Sequence, residues 1–348
     1  MTSNPAPSTR PTATSAAPMP APAPVAALPA RRRPRLALCF TGGKDSTLVL
    51  HLLLHKPDLL ATALGIQHAR DSDHGDDRLH LPPGVLLPPN HQSTNSVPRY
   101  DFEFVALVTF HPKSPRFLAH PLGGIATQAS ALHLPLRRVE VIPDPDFATG
   151  YATAIRSLDL DVLVTGDMMD VCSAFMRRAA KTAGVPLWCP LWGVDRALAW
   201  DLVLDAMKMV PVVTCVHLPS FAKAWGDKEA VEKRAREVVG KPVDRDALNK
   251  WLVPAAAKDS GGVDLCGEMG EFHSMVVDGA LFHGRVELPG RAELDPQGTY
   301  MYWAGPLTRD PLAPVEKDEN DEEETKIKPE VKVAAKVVTE CTVAQPTS

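Results

Sequence analysis

Apolar and polar positions along this chain follow two rhythms. Residues 36–40 form an unbroken apolar run of strand length. The polar cluster Thr41-Gly42-Gly43-Lys44-Asp45-Ser46 separates it from a helical apolar run at 48–54, which Pro57 stops. The pattern then recurs. Apolar runs rich in strand formers at 102–110, 136–142, 161–165, 185–191 and 210–218 alternate with stretches of helical length at 122–133, 146–158, 171–183 and 196–209. Alternation of this kind predicts an α/β fold, a parallel sheet with helices on both faces and ligands at the carboxyl ends of the strands. Gly42-Gly43 and Gly166-Asp167 each follow such a strand, so both belong on one rim. From about residue 219 the rhythm changes to charged amphipathic helices at 227–239 and 244–252. A Gly- and Glu-rich stretch at 261–274 follows, then a short strand-like run at 275–277. That predicts a smaller C-terminal α+β part whose turn exposes its carboxylates.

The expected organisation has four parts. Residues 1–34 are rich in Pro and Ala, lack acidic residues and read as a disordered tail. Arg31-Arg32-Arg33 also suits a transit peptide, but the prolines forbid its amphipathic helix. The alternating α/β part spans 35–218, with an insertion at about 57–101, where residues 59–66 fit a strand or a helical turn. His68, Asp71, Asp73, His74, Asp76, Asp77 and His80 lie in that insertion at spacings that match no ligand set, so a solvated loop is expected there. The smaller C-terminal part covers 219–312, and a charged, disordered tail that contains the acidic run 318–324 covers 313–348.

A strand, a glycine turn and a helix start, in that order, make an anion site. The first amides of the helix have no partner within it, and the helix dipole favours negative charge there. Adjacent glycines let backbone approach a phosphate closely. Thr41 and Ser46 add hydroxyls and Lys44 a point charge, while Asp45 either caps the helix or holds Mg²⁺. The loop is not a Walker A motif, which needs four residues between its glycines.

Composition narrows the function. Apolar residues make up 45% and charged residues 23% of the 348, as in soluble globular proteins. The net charge of −5 argues against direct nucleic-acid binding, and no run reaches the length of a membrane span. The six cysteines are scattered without a CxxC pair, which predicts buried thiols in a reducing, cytoplasmic setting.

Residues 41–46 resemble the SGGxDS loop of the PP-loop ATP pyrophosphatases. Gly267-Glu268-Met269-Gly270-Glu271-Phe272-His273-Ser274 is similar to the CGEGGEFHT motif of one branch, the diphthine–ammonia ligases. Between them, Val164-Thr165-Gly166-Asp167 and the two Pro-Leu-Trp segments ending at Trp188 and Trp192 resemble further family segments, and His120 and Gln128 a weaker one. The resemblance covers roughly residues 35–290. It departs at Thr41 and Ser274, which keep a hydroxyl, and at Met269, which stands where the family has glycine.

The resemblance implies a Rossmann-type PP-loop fold and a ligase that uses ATP and Mg²⁺. Its acceptor would be diphthine on translation elongation factor 2 and its second substrate ammonium, with an acyl-adenylate formed and AMP and pyrophosphate released. Thr41, Gly42, Gly43, Lys44, Asp45, Ser46 and Gly166 would bind the nucleotide, with Asp45 on the metal. Asp45, Asp167, Glu268 and Glu271 would be catalytic, the last three by binding ammonium and taking its proton. Trp188, Trp192, Glu268 and His273 would bind the acceptor, whose trimethylammonium group suits aromatic faces and carboxylates; core packing is the other reading of both tryptophans. Two rivals remain: another PP-loop adenylating enzyme, acting on tRNA or a small molecule, and a non-catalytic nucleotide-binding module.

Overall fold

In a computed structural model, the structure describes residues 32–62, 102–113, 119–170, 172–257 and 262–305. The insertion beyond residue 62, with its histidine and aspartate cluster, lies outside these residues, as do both tails.

Five strands form the first sheet: β1 (Arg35–Cys39), β2 (Glu103–His111), β3 (Leu136–Glu140), β4 (Val162–Val164) and β5 (Leu187–Trp188). All pair in parallel, in the order β3-β2-β1-β4-β5. The two-residue period of β1 explains why it is buried on both sides. Leu36 and Leu38 pack into one core, and Ala37 into the other. Helix α1 (Lys44–Leu54) and helix α3 (Leu122–Ala131) supply the first core. Helix α4 (Phe147–Arg156) and helix α5 (Phe175–Ala183) supply the second. Between α1 and β2, the start of the 57–101 region is helical, as α2 (Pro57–Thr62). Asp146 caps α4 by accepting the Thr149 N–H, one of several acidic caps that start helices where the polar-to-apolar switch falls.

Two expected boundaries shift. The predicted helix at 196–209 is α6 (Arg196–Asp201) continued by a wider π turn at Leu202–Ala206. The apolar run at 210–218, expected after the parallel strands, is β6 (Pro211–His217) and joins a different sheet. There it pairs antiparallel with β7 (Phe272–Val276) and β9 (Tyr300–Ala304), and β8 (Arg291–Leu294) completes the order β7-β6-β9-β8. An apolar run of strand length looks the same in either kind of sheet, which is why periodicity alone misplaces it. Helix α7 (Leu218–Trp225) and helix α8 (Lys228–Val238) follow β6. One hydrophobic core runs from Leu36 through Phe221 and Trp251 to Met275 and Met301, so both sheets share it.

Candidate functional site

Strand order reverses between β1 and β4, and the turns leaving these two strands carry the two glycine motifs. Such a switch point opens a crevice at the strand ends. The turns touch there. A Cβ on Gly166 would lie 2.8 Å from the Ser46 nitrogen, so only glycine lets the β4 turn come this close to the first turn of α1. Gly42 adopts φ +72, the left-handed region, and its carbonyl accepts the Val276 N–H of β7 at 2.9 Å. Buried Gln128 of α3 donates from Nε2 to that carbonyl (2.8 Å) and to the Val276 carbonyl (2.6 Å). A side chain remote in sequence thus clamps the loop to the C-terminal sheet.

Among the described residues, the amides of Asp45 and Ser46 have no protein partner, as an anion site requires. The Lys44 N–H donates to Ser274 Oγ at 3.3 Å. Thr41 is exposed, with Oγ1 3.3 Å from Ser46 Oγ. Lys44 itself turns inward and is 3% exposed. Its ammonium donates to both Asp45 oxygens (2.9 and 2.8 Å) and to the Cys266 carbonyl, and it lies 5.7 Å from the Trp200 ring centre. Burial alone would lower its pKa, but the Asp45 carboxylate, with further anionic neighbours, outweighs that and raises it. The lysine expected from sequence to be a charge facing phosphates is, in this structure, an inward strut between the two motifs.

The second motif is folded tightly, and the exposed carboxylates expected of it are not found. Glu271 is buried, and its two oxygens accept the Asp264 and Met269 amides, each at 2.9 Å. Its carboxylate is committed to the turn. Glu268 is half-buried and accepts the Met168 N–H at 3.0 Å, which ties the motif to the β4 loop. Burial, and then the Asp45 charge, push its pKa up to about 7. Because the shift is upward, the stability it contributes is complete below the ordinary carboxylate range and is lost as pH rises through about 7. Glu268→Gln should therefore gain melting temperature relative to the wild type between about pH 5 and about pH 8. A difference that stays flat across that range would show that the carboxyl titrates normally.

Asp167 stands across the crevice, half-buried, accepting from Thr165 Oγ1 at 2.9 Å, and burial raises its pKa. His273 packs edge-on to His120 at 4.9 Å, and burial lowers the two to about 4 and about 3, so both are neutral near pH 7. The tryptophans do not pair into an aromatic box. Trp188 is 1% exposed and belongs to the core. Trp192 is partly exposed, with the Arg177 guanidinium 4.8 Å from its ring centre.

The site thus brings together Thr41 to Ser46, Gly166, Asp167 and Glu268. Trp188 and the Glu271 carboxylate are held in the core and the turn instead. Sequence reasoning left Trp200 and Arg177 out and gave Gln128 only a faint place; the available signal was a glutamine on an otherwise small, apolar helix face.

A parallel sheet of this order, with a glycine loop opening the first helix at its switch point, defines a Rossmann-type α/β protein. Residues 228–302 match the family described as the diphthamide synthase C-terminal domain, which bears out the resemblance to the diphthine–ammonia ligases. A crystal structure of a predicted tRNA methyltransferase subunit from Methanocaldococcus jannaschii aligns with 71% of this chain and 97% of its own. Its identity is 11% and its TM-score 0.27, too distant to bear on fold or activity. Among curated proteins, none matches the chain. No helix among the described residues is long and apolar enough to cross a membrane.

Proposed function

We propose that the protein is an ATP-dependent diphthine–ammonia ligase, which amidates diphthine on translation elongation factor 2 and releases AMP and pyrophosphate. One observation carries the reading. The segment matching the diphthamide synthase domain supplies β7, and β7 completes the phosphate loop through the Val276 amide and Ser274 Oγ. A domain tied to diphthamide synthesis and a nucleotide loop are thus parts of one site.

In this reading the amides of the loop, with Thr41 and Ser46, hold the phosphates of ATP. Mg²⁺ would neutralise charge on the departing pyrophosphate. Among the described residues no group of three His, Cys, Asp or Glu side chains could hold a metal. Asp45 is the carboxylate of the loop and would stand beside that ion. Adenylation gives the acceptor carboxylate a good leaving group, and ammonia then attacks. Ammonium must lose a proton to become nucleophilic, and Glu268, with its pKa near 7, is matched to take it. Asp167 faces the same space and would hold the cation. A protein acting on an elongation factor works in the cytoplasm.

The test is a reaction of the full chain with ATP, ammonium and diphthine-bearing elongation factor. AMP and pyrophosphate should appear with the mass change from acid to amide. ADP as the main product would place the protein outside this class.

A further inference from the structure

Beyond Asp167 the crevice continues into a small cleft, half open to solvent, at the carboxyl ends of β4 and β5. Phe175 and Met176 of α5, with Leu187 of β5, give it apolar walls, while Asp167, Asp170 and Arg177 bring charge to it. Arg177 is the unusual member. It is half-buried over the Trp192 ring, and among the described residues it makes no hydrogen bond and no close ion pair, although its charge reaches Asp167 and partly offsets the upward push of burial there. A guanidinium fixed by stacking keeps its flat donor edge ready for a carboxylate or phosphate, and little side-chain entropy is lost when one binds. The two aspartates are of the opposite sign. Asp170 also holds the turn below the cleft by accepting the Ala174 N–H, so its charge is fixed in place. An apolar cleft with one unpaired guanidinium and two carboxylates is complementary to a ligand carrying both charges on a short aliphatic stem.

We propose that this cleft binds the zwitterionic end of the acceptor, with its carboxylate on Arg177 and its quaternary ammonium beside Asp167 and Asp170. The assignment rests on the ligase reading for the identity of the acceptor, but the charge pattern stands without it. Arg177 then holds the reacting carboxylate next to the phosphate loop, since Asp167 both lines the cleft and borders the crevice.

Two measurements test this. In ligand-observed NMR on the full chain, glycine betaine should bind detectably, and choline and acetate, each lacking one charge, much more weakly. Arg177→Met should abolish the betaine signal. In turnover, Arg177→Met should raise KM for the modified elongation factor by ~10- to 100-fold, the worth of a charge-assisted hydrogen bond, and leave ATP affinity unchanged. Arg177→Lys, which keeps the charge and loses the flat stack, should fall between, and guards against misfolding of the methionine variant. Weakened ATP binding with an unmoved acceptor KM would give Arg177 to the nucleotide and overturn the proposal. Equal binding of betaine by wild type and variant would also overturn it. If the wild type binds betaine but forms no amide, the ligase reading fails while the cleft assignment stands.

Discussion

A Gly42→Ala variant is expected to melt several degrees below the wild type and to lose ATP affinity by ~100-fold or more. Two costs combine. The native φ of +72 is left-handed, which costs an alanine about 1–2 kcal/mol. The new Cβ would also sit 2.0 Å from Gln128 Oε1, so the clamp must move and break the bonds to the Gly42 and Val276 carbonyls. Each such bond contributes about 1 kcal/mol, and the total of about 3 kcal/mol is a large part of a typical stability. Gly43→Val is the matched control. Gly43 has φ −71, ordinary for any residue, so the cost there is steric alone: a Cβ would meet the Ser274 carbonyl at 3.2 Å, tighter than ordinary contact, and β7 must give slightly. That variant should lose some melting temperature without any φ strain and fail to bind ATP, because its branched side chain forces the loop away from Ser274 and crowds Thr41 Oγ1. Thermal melts and ATP titration calorimetry of both separate the effects. An unchanged ATP affinity in a folded Gly43→Val protein would remove the loop from nucleotide binding.

Lys44→Met should cost about 3 kcal/mol in urea unfolding, because it breaks a buried pair rather than a surface one. The Cys266 carbonyl would lose its donor, and the charge between the Trp200 and Phe272 rings would vanish, leaving Asp45 and Glu268 to repel each other. Since the native pKa of Lys44 is raised, the loss should be constant at neutral pH; the wild type would shed this contribution only above the ordinary lysine range. A lysine acting on phosphates alone would behave otherwise. Its removal would lower ATP affinity and leave the urea midpoint of the nucleotide-free protein unchanged.

How far the sequence disclosed this site depends on the range of the interaction involved. The strand, loop and helix at 35–54 were legible because hydrophobic period and turn chemistry are local. The pairing of Gly166 with the α1 start followed from topology, since parallel strands place their carboxyl ends on one rim. Gln128 shows locally only as a polar residue on an apolar helix face, and its role is hidden because its two acceptors come from Gly42 and Val276. Glu271 misled for a related reason. Glycines and glutamates together read as a solvated turn, yet this carboxylate is buried by satisfying amides of the turn it belongs to. β6 looked like a further parallel strand because apolar content does not encode the direction of a partner. Trp192 was read as a cation receptor, and its neighbour is indeed a cation, but one that the chain supplies from α5.

The link between the loop and β7 also sets an order in time. Lys44 and Ser274 are separated by 230 positions, so on a ribosome the loop leaves the exit tunnel long before the strand that shapes it. At about 5–20 residues per second, roughly 10 to 50 seconds pass between the two. During that interval β1 and α1 can pack, but the Gly42 carbonyl still lacks the Val276 amide and the Lys44 ammonium the Cys266 carbonyl. On the ligase reading, nucleotide competence would then arrive as a late event in synthesis, and an unfinished chain would have no shaped loop with which to sequester ATP.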